Sequence, residues 1–280
     1  MSSPLAIMTN TSSLNAQRNM LSTGRSLNAS IERLSSGLKV NSAADDAAGI
    51  AVSTGLTAQT KGFQQAMENA NEAIALLQTT EGSYNSVSDI LIRMRELAVQ
   101  AASDTLTDKE RGYLNTEFED LTDEIDRISA VAEYNGIQLL DGTAGDGAGL
   151  MTFQVGTRNT ANDQIQITLD SQSTATLGVD VLDVSNLANS QTAIDAIDTA
   201  LDTVATSRST LGSKINELTA SVDNLAITIE NLSTANSQIK DADIAAESAD
   251  FTKHQVLMQS GVAMLSQANG VSQMALRLLG

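Results

Sequence analysis

The stretch IDAIDTALDTVATSRSTLGSKINELTASVDNLAITIENLSTANSQI, residues 194–239, decides the fold of this protein. Two series of mostly apolar residues run through it with a period of seven, and they alternate at intervals of three and four. The first series is Ile194, Leu201, Arg208, Ile215, Val222, Ile229 and Asn236, and the second is Ile197, Val204, Leu211, Leu218, Leu225, Leu232 and Ile239. This is the a/d pattern of a coiled coil, so it predicts one long helix packed along another helix.

Asn236 stands at an a position near the end of this pattern, and it permits two interpretations. A polar residue at an a position can fix the register of two helices. Alternatively, Asn236 is an exposed residue at the point where the seam frays. The sequence by itself leaves both interpretations open.

The N-terminal half contains helices that can supply the partner. Two runs follow the same rhythm: Tyr84, Val87, Leu91, Met94 and Ala98, then Leu114, Phe118, Leu121, Ile125 and Ile128. Before the second run, Thr107 and Glu110 match a capping box, which marks the start of a helix. A further helix is expected near Ser42, with Asp45 and Asp46 in its first turn, where carboxylates complement the helix dipole.

The middle of the chain has a different pattern. Residues 135–149, NGIQLLDGTAGDGAG, are rich in turn-forming Gly, Asn and Asp. MTFQV (151–155), IQITL (165–169) and LGVDVLDV (177–184) alternate apolar and polar residues as strands do. The predicted fold class is therefore mainly α: a long coiled-coil helical bundle that pairs N- and C-terminal segments, with a small β-hairpin portion in the middle.

Both ends of the chain are amphipathic and nearly uncharged. Residues 1–24 carry only Arg18 as a charged side chain, and residues 255–280 carry only Arg277. The apolar stripes comprise Leu14, Leu21, Leu27, Ile31 and Leu34 at one end and Leu257, Met264, Val271 and Leu278 at the other. A lone helix would expose such a stripe to water, so each stripe is a candidate assembly surface.

Small residues alternate with the C-terminal stripe at Gly261, Ala268 and Ala275, and they would permit close approach of a second helix. We expect the two ends of the chain to pack against each other. Because that pair would still leave apolar surface uncovered, neighbouring copies of the same chain are the next expected partner.

Composition and charge exclude several classes of protein. The 280 residues carry a net charge of −18, which disfavours nucleic acid and anionic membrane surfaces as partners. The chain contains no Trp and no Cys, so large aromatic anchors are scarce and no disulfide is expected. No apolar run approaches the roughly 18 residues of a membrane span, and no cleavable signal peptide is predicted. We therefore expect no nucleic-acid partner and no membrane insertion.

No motif indicates catalysis, a metal site or a cofactor. The one histidine, His254, has no catalytic partner near it in the sequence and is expected on a helix surface. KDADIAAESAD (240–250) lacks the spacing of a calcium loop, and DGTAGDGAG (141–149) lacks the Lys of a phosphate-binding loop. The chain is not expected to be an enzyme.

Five segments carry a family resemblance. They are SLNAQRNM (13–20), SIERLSSGLKVNSAADDAAGIAVS (30–53), RMRELAVQAAS (93–103), DEIDRISAVAEYNGIQLLDG (123–142) and the C-terminal run from ENLSTANSQIK to QMALRLL (230–279). The first four resemble the N-terminal region of bacterial flagellin and the fifth resembles its C-terminal region. The residues between them are too few for large outer domains, so the resemblance is to a short flagellin.

This resemblance implies a filament architecture. Flagellins pair their terminal helices into a coiled coil that lines the filament, and a helical layer with a β-hairpin surrounds it. The chain would then divide into inner coiled-coil segments 1–40 and 241–280, helical core segments 41–142 and 190–240, and a short β portion 143–189 in place of the variable domain. It would polymerise non-covalently into the flagellar filament that serves swimming motility.

The resemblance also implies partners and a location. Besides further copies of the chain, the partners would be the flagellar export chaperone and the cap and hook-junction proteins. Export would run through the flagellar secretion channel without a cleaved signal peptide, and the protein would lie outside the cell.

In many flagellins a vertebrate Toll-like receptor binds the helix with the RELAVQ motif, and the matching positions here are Arg93, Leu97 and Glu117. Alternatively, these residues form contacts between neighbouring subunits, which is the interpretation that we prefer.

Two other binding classes compete with a filament subunit. A hook–filament junction protein has related terminal helices but forms no long polymer. A secreted, membrane-active translocator would insert amphipathic helices into lipid, which the charge of −18 opposes.

Overall fold

The computed structural model describes residues 9–277, with side chains described for residues 9–270. Five long helices dominate this part of the chain: α1 (Thr11–Ser36), α2 (Ala47–Ala101), α3 (Asp108–Val131), α6 (Leu187–Lys240) and α7 (Ile244–Arg277). Two single-turn helices, α4 (Ala144–Gly147) and α5 (Thr174–Leu177), and a 3-10 turn, Ala161–Asp163, lie in the middle. The strands are β1 (Glu133–Tyr134), β2 (Ile137–Gln138), β3 (Leu150–Gln154) and β4 (Gln164–Thr168). The mainly α fold with a central β-hairpin portion is confirmed.

The chain forms two compact units. The central unit is Gln59–Glu230, and the terminal unit comprises the chain up to Ala58 and from Asn231 onward. The central unit contains nine Lys or Arg and 27 Asp or Glu, a net charge of −18, whereas the terminal unit contains seven of each and is neutral. All of the net charge therefore belongs to the central unit.

The core of the central unit is built along the predicted seam of α6. Five residues of the second series are buried: Ile197, Val204, Leu211, Leu218 and Leu225. The predicted run on α2, from Tyr84 to Ala98, is at most 1% exposed at each of its five positions. Phe118 and Ile125 of α3 are fully buried. The coiled-coil pattern of α6 and both N-terminal runs are thus confirmed.

Two sets of hydrogen bonds stabilise the start of α3. Thr107 and Glu110 form the predicted capping box, in which the Thr107 amide donates to Glu110 Oε2 at 2.7 Å. That bond, with one from the Thr107 hydroxyl, lowers the pKa of Glu110. Buried Arg111 donates to the carbonyls of Ala101 and Ser103, both at 2.8 Å. Arg111 thereby binds the Ala101 carbonyl at the C-terminal end of α2, which the helix itself leaves unpaired, and the Ser103 carbonyl in the turn that follows.

The β portion contains two antiparallel hairpins. The predicted strands at 151–155 and 165–169 are confirmed as β3 and β4, which pair from Leu150 with Thr168 to Gln154 with Gln164. Asn135 and Gly136 connect β1 and β2, and their φ angles of 51° and 79° suit a two-residue hairpin turn. Sequence reasoning placed them in a turn region and missed this short hairpin.

The third predicted strand, residues 177–184, does not form, so that prediction was wrong. Gly178 adopts φ 72° and closes α5, and the Val179 amide donates to the Thr174 carbonyl at 3.0 Å. Further along, the Val184 amide donates to the Asn115 side chain at 2.9 Å. These bonds hold the segment in an irregular path in which its alternating pattern has no partner strand.

In the terminal unit, α2 begins at Ala47, and not near Ser42 as expected. Asp46 precedes the helix, and its Oδ1 accepts from the Gly49 amide at 2.9 Å, as an N-cap residue does. Asp45 lies in the preceding turn and accepts from the Ser42 amide at 2.8 Å. The two carboxylates therefore stand before the first turn of α2.

Asn236 is held between α6 and α2. The Ser53 hydroxyl donates to Asn236 Oδ1 at 2.6 Å, and Asn236 Nδ2 donates to the Thr57 hydroxyl at 3.3 Å. All three lie within the terminal unit. Because a shifted pairing would separate these polar groups, the geometry favours the register-setting interpretation over fraying.

Two glycine substitutions test the packing of the central unit. Gly145 has φ 73°, and a Cβ there would lie 2.2 Å from the Leu150 carbonyl oxygen, so Gly145→Ala should lower the free energy of unfolding by about 1–3 kcal/mol. Gly82 is exposed within α2 and has open space around it, so Gly82→Ala should raise that free energy by about 0.5–1 kcal/mol. Thermal unfolding followed by circular dichroism measures both, and equal shifts would contradict the close approach at Gly145.

Candidate assembly surface

α1 and α7 pack against each other as an antiparallel pair. Near the start of α1, Asn10 Nδ2 donates to the Ala268 carbonyl at 3.0 Å. Near its end, Arg33 pairs with Glu247 at 3.7 Å. Residues later in α1 therefore contact residues earlier in α7. The predicted pairing of the two ends of the chain is observed across the described residues.

Two glycines lie at the contact between the helices. A Cβ at Gly24 would lie 3.1 Å from the methyl carbon of Met258, and a Cβ at Gly261 would lie 3.8 Å from Met20 Cγ. Each helix therefore places a methionine against a glycine of the other. Gly261 lies in the seam as predicted, but its 3.8 Å distance is an ordinary van der Waals contact, so the tighter approach is at Gly24.

The seam between α1 and α7 is only partly buried. Its less exposed positions follow the three-four rhythm on both helices: Ser13, Ala16, Met20, Thr23, Leu27, Ser30 and Leu34 on α1, and Phe251, His254, Met258, Gly261, Leu265 and Ala268 on α7. Among these, only Ser30 is fully buried. Since hydrophobic stabilisation grows with the apolar area removed from water, this pair gains less from its seam than the core of the central unit gains.

The structure separates the predicted assembly residues into two groups. Leu27 and Leu34 lie in the α1–α7 seam. The second group faces away from the seam and is 48–65% exposed: Leu14, Leu21, Ile31, Leu257 and Met264. The side chains of Val271 and Leu278 lie outside the described residues.

This separation corrects the expectation that the C-terminal stripe covers the N-terminal one. The residues of α7 that face α1 belong to the series of Gly261 and Ala268, and Leu257 and Met264 point elsewhere. Val256 and Val262 are also exposed, at 54% and 56%, and sequence reasoning missed them. The seven-residue period could not have found them, because at about 100° per residue Val256 and Val262 lie on other sides of the helix than Leu257.

The exposed apolar side chains of this partly buried helix pair indicate a surface to which another molecule binds. A monomer in water rarely keeps large contiguous apolar patches, and such patches mark binding surfaces. Since the terminal unit also carries no net charge, burying this face against another molecule brings no charge repulsion from the unit as a whole. We call the exposed residues of α1 and α7 the outer face of the pair.

A second candidate surface lies on α2 and α3. Arg93 donates to Glu117 Oε1 from Nε at 3.0 Å and from Nη2 at 2.7 Å, and to Glu96 at 3.0 Å. The bonds to Glu117 and then Glu96 raise the pKa of Arg93. The structure therefore brings Arg93 and Glu117 together on the surface. Leu97, the third predicted residue, is only 1% exposed and lies in the core.

A neighbouring ion pair joins α2 to α6. Arg95 Nη2 donates to Asp198 Oδ2 at 3.2 Å, and the Arg95 guanidinium lowers the pKa of Asp198. Ile92 and Val99 flank these charges and are 47% and 50% exposed. This face thus combines charged and apolar side chains, as protein–protein interfaces do.

Between residues 9 and 277, no group of three or more His, Asp or Glu side chains is arranged to hold a metal ion. Across the same described range, no helix is both long and apolar enough to cross a membrane.

Comparison with known proteins adds a family assignment to this geometry. The bacterial flagellin N-terminal helical region matches residues 7–145, and the bacterial flagellin C-terminal helical region matches residues 194–279. A flagellin of Halalkalibacterium halodurans is 40% identical over 270 residues, which cover 96% of this chain and 98% of that protein. A flagellar filament core protein of Brachyspira hyodysenteriae is 35% identical and covers 98% of this chain and 100% of its own.

A solved structure shares the fold. A protein of Vibrio parahaemolyticus described as flagellar hook-associated matches with a TM-score of 0.58, and the match covers 70% of this chain and 100% of that one. Its sequence identity is 17%, so the similarity concerns the fold alone.

The exposed pair of Arg93 and Glu117 should contribute little to the stability of the single chain, because solvent screens it. Arg93→Ala should therefore shift the melting temperature by no more than about 2 °C. Arg127→Ala, which removes a similar surface pair with Glu124, is the matched control. A clearly larger loss for Arg93→Ala, measured by thermal unfolding, would mean that the pair has a structural role in the monomer.

Proposed function

Because the chain belongs to the bacterial flagellin family, we propose that the outer face of the α1–α7 pair is the surface through which its copies polymerise. The protein is a structural subunit of the flagellar filament, which lies outside the cell, and it is not an enzyme. The observation that carries the proposal is the exposure of Leu14, Leu21 and Met264, at 49%, 63% and 65%, on helices that bury little between themselves.

The energetics of such an interface favour a polymer. Burial of apolar surface contributes about 25 cal/mol per Å², before the cost of ordering the partners is subtracted. A contact in which one face of a subunit meets a different face of the next does not close on itself, so it repeats along a helix. Non-covalent helical polymerisation therefore needs no chemistry beyond the burial of the outer face.

The distribution of charge supports a division of roles between the units. We assign the inner layer of the filament to segments 1–40 and 241–280, the surrounding helical layer to 41–142 and 190–240, and the short β portion to 143–189. A neutral terminal unit can be packed among copies of itself without like-charge repulsion, whereas a central unit of net charge −18 is better placed against water.

Further partners follow from the flagellin family and remain part of the proposal. During assembly the chain would bind an export chaperone, pass through the flagellar secretion channel without a cleaved signal peptide, and meet the cap and hook-junction proteins. The exposed outer face is a suitable chaperone site, since it needs a cover before polymerisation as well as after it.

The face around Arg93 and Glu117 is proposed as a contact between neighbouring subunits. Its exposed apolar residues Ile92 and Val99 support this assignment. Recognition by a vertebrate Toll-like receptor is a second proposal for the same face. In that case Arg93 and Glu117 would contact the receptor, and Leu97 would support the helix surface from below, because it is buried.

Paired serine substitutions test the outer face. The double variant Leu21→Ser, Met264→Ser should keep the helical circular dichroism of the wild type, since both side chains are more than 60% exposed. In seeded growth in polymerising salt, followed by light scattering and electron microscopy, its critical monomer concentration should rise at least about tenfold.

The matched control is Val181→Ser, which removes an apolar side chain that is 83% exposed in a loop of the central unit. This control should polymerise as the wild type does. Equal growth of all three chains would refute the assignment of the outer face, and failure of the wild type to form long filaments would refute the polymer itself.

A further inference from the structure

The methionine side chains differ widely in their exposure to solvent. The sequence contains nine Met and no Cys, so no thiol competes with the thioethers for an oxidant. Met94 and Met151 lie in the core of the central unit, at 0% and 8% exposure. Met20 and Met258 are half-buried. Met264 is 65% exposed, and it is the one exposed methionine among the residues whose side chains the structure describes.

The two methionines of the α1–α7 seam are sheltered by the opposite helix. The methyl carbon of Met258 lies 3.1 Å from the position that a Cβ would take on Gly24. The Sδ atom of Met20 lies 3.9 Å from the corresponding position on Gly261. A peroxide in solution therefore reaches both side chains less readily than it reaches Met264.

Met264 lies on the outer face, in a part of α7 without charge. Leu257, seven residues earlier, lies on nearly the same side of the helix and is 48% exposed. Ser260 and Gln267, one turn away on either side, are exposed and polar but uncharged. From residue 255 to residue 276 the sequence has no Asp, Glu, Lys or Arg. A contact that covers Met264 therefore buries its thioether among uncharged side chains of α7.

From this exposure we infer that Met264 is an oxidation-sensitive site that controls assembly: conversion of its thioether to a sulfoxide hinders the outer face from binding another copy. The inference rests on the proposed function of the outer face. In the reaction, hydrogen peroxide transfers one oxygen atom to Sδ. The S–O bond forms, the O–O bond breaks and water leaves, so that the sulfur is oxidised by two electrons and the peroxide is reduced.

The effect on assembly follows from solvation. A thioether loses little when it leaves water, and a flexible methionine adapts to the surface that covers it. A sulfoxide oxygen accepts hydrogen bonds from water, and it loses them when another subunit covers it. Because the same contact shields the sulfur, the reaction acts on the unassembled chain, and finished filaments resist it.

Oxidation of the soluble full-length chain with hydrogen peroxide tests the site. Each sulfoxide is located and quantified over time by peptide mass spectrometry. Met264 should be oxidised at least about tenfold faster than Met94, and faster than Met20 and Met258, because oxidation follows exposure. In filaments its rate should fall about tenfold. An equal rate at Met264 and the two seam methionines would overturn the assignment.

A leucine variant tests the consequence for assembly. After oxidation the critical monomer concentration of the wild type should rise about tenfold. Met264→Leu, which keeps an apolar side chain of similar volume, should polymerise as the untreated wild type does, before and after the same treatment. Met67→Leu removes a half-buried thioether from the central unit and is the matched control, which should respond as the wild type does. An equal rise in Met264→Leu would overturn the inference, because other methionines would then be responsible.

Reduction tests whether the sulfoxide itself is the cause. Methionine sulfoxide reductases with dithiothreitol remove the oxygen as water while the two thiols form a disulfide. The treated wild type should then recover its original critical concentration. Continued loss of assembly after mass spectrometry shows Met264 restored would contradict the inference. So would a loss of helical circular dichroism in the oxidised monomer, because unfolding would then explain the result.

The untreated wild type separates this inference from the proposed function. If the untreated and the oxidised chains polymerise equally well, the methionine inference fails alone. If the untreated chain forms no long filament, the proposed function fails and the effect on assembly fails with it. The oxidation rates of the soluble chain need no polymer, so they still decide whether Met264 is the sensitive site.

Discussion

Burial of the α6 seam is the interaction on which the rest of the structure depends. Ile197, Val204, Leu211 and Leu218 are at most 1% exposed, and they belong to one cluster with the core residues of α2 and α3. This cluster fixes the helices of the central unit and supports the β3–β4 hairpin, whose inward residues Met151 and Ile167 join it, and Tyr134 of β1 packs against it. Large aliphatic side chains on several elements bury one another in this core, so the central unit stabilises its own fold.

The terminal unit follows the opposite arrangement. Its α1–α7 seam combines Gly, Ala, Ser and Thr with larger side chains that are only partly buried, while other Leu and Met residues of the same helices face outward. Small residues allow close approach but remove little apolar area, and the outward residues gain free energy only when another molecule covers them. The central unit thus buries its own core, whereas the terminal unit leaves apolar side chains exposed.

Charge follows the same division. Every excess carboxylate lies between residues 59 and 230, and the terminal unit is balanced. Within the acidic unit, the arginines at 93 and 95 are each bound by carboxylates, which leaves the surface negative overall. For a filament subunit this combination is coherent, because neutral segments can be buried among their copies while like-charged segments keep finished filaments apart in water.

Much of this architecture was determined by the sequence alone. The seam of α6, the capping box at Thr107 and the strands β3 and β4 depend on local periodicity or on side chains three residues apart, which a linear pattern records. The flagellin assignment likewise came from long motifs and agrees with the family models over residues 7–145 and 194–279.

Only the tertiary structure decided which side of α7 faces α1. The series of Leu257 and that of Gly261 both repeat every seven residues. They differ only by a rotation about the helix axis, and the period does not show which series faces α1. In the structure Gly261 packs against Met20. Leu257 therefore faces outward, and His254 faces the seam. The strand predicted at 177–184 also failed because of a tertiary contact. The hydrogen bond from the Val184 amide to Asn115 joins positions 69 residues apart, and no local pattern records such a contact.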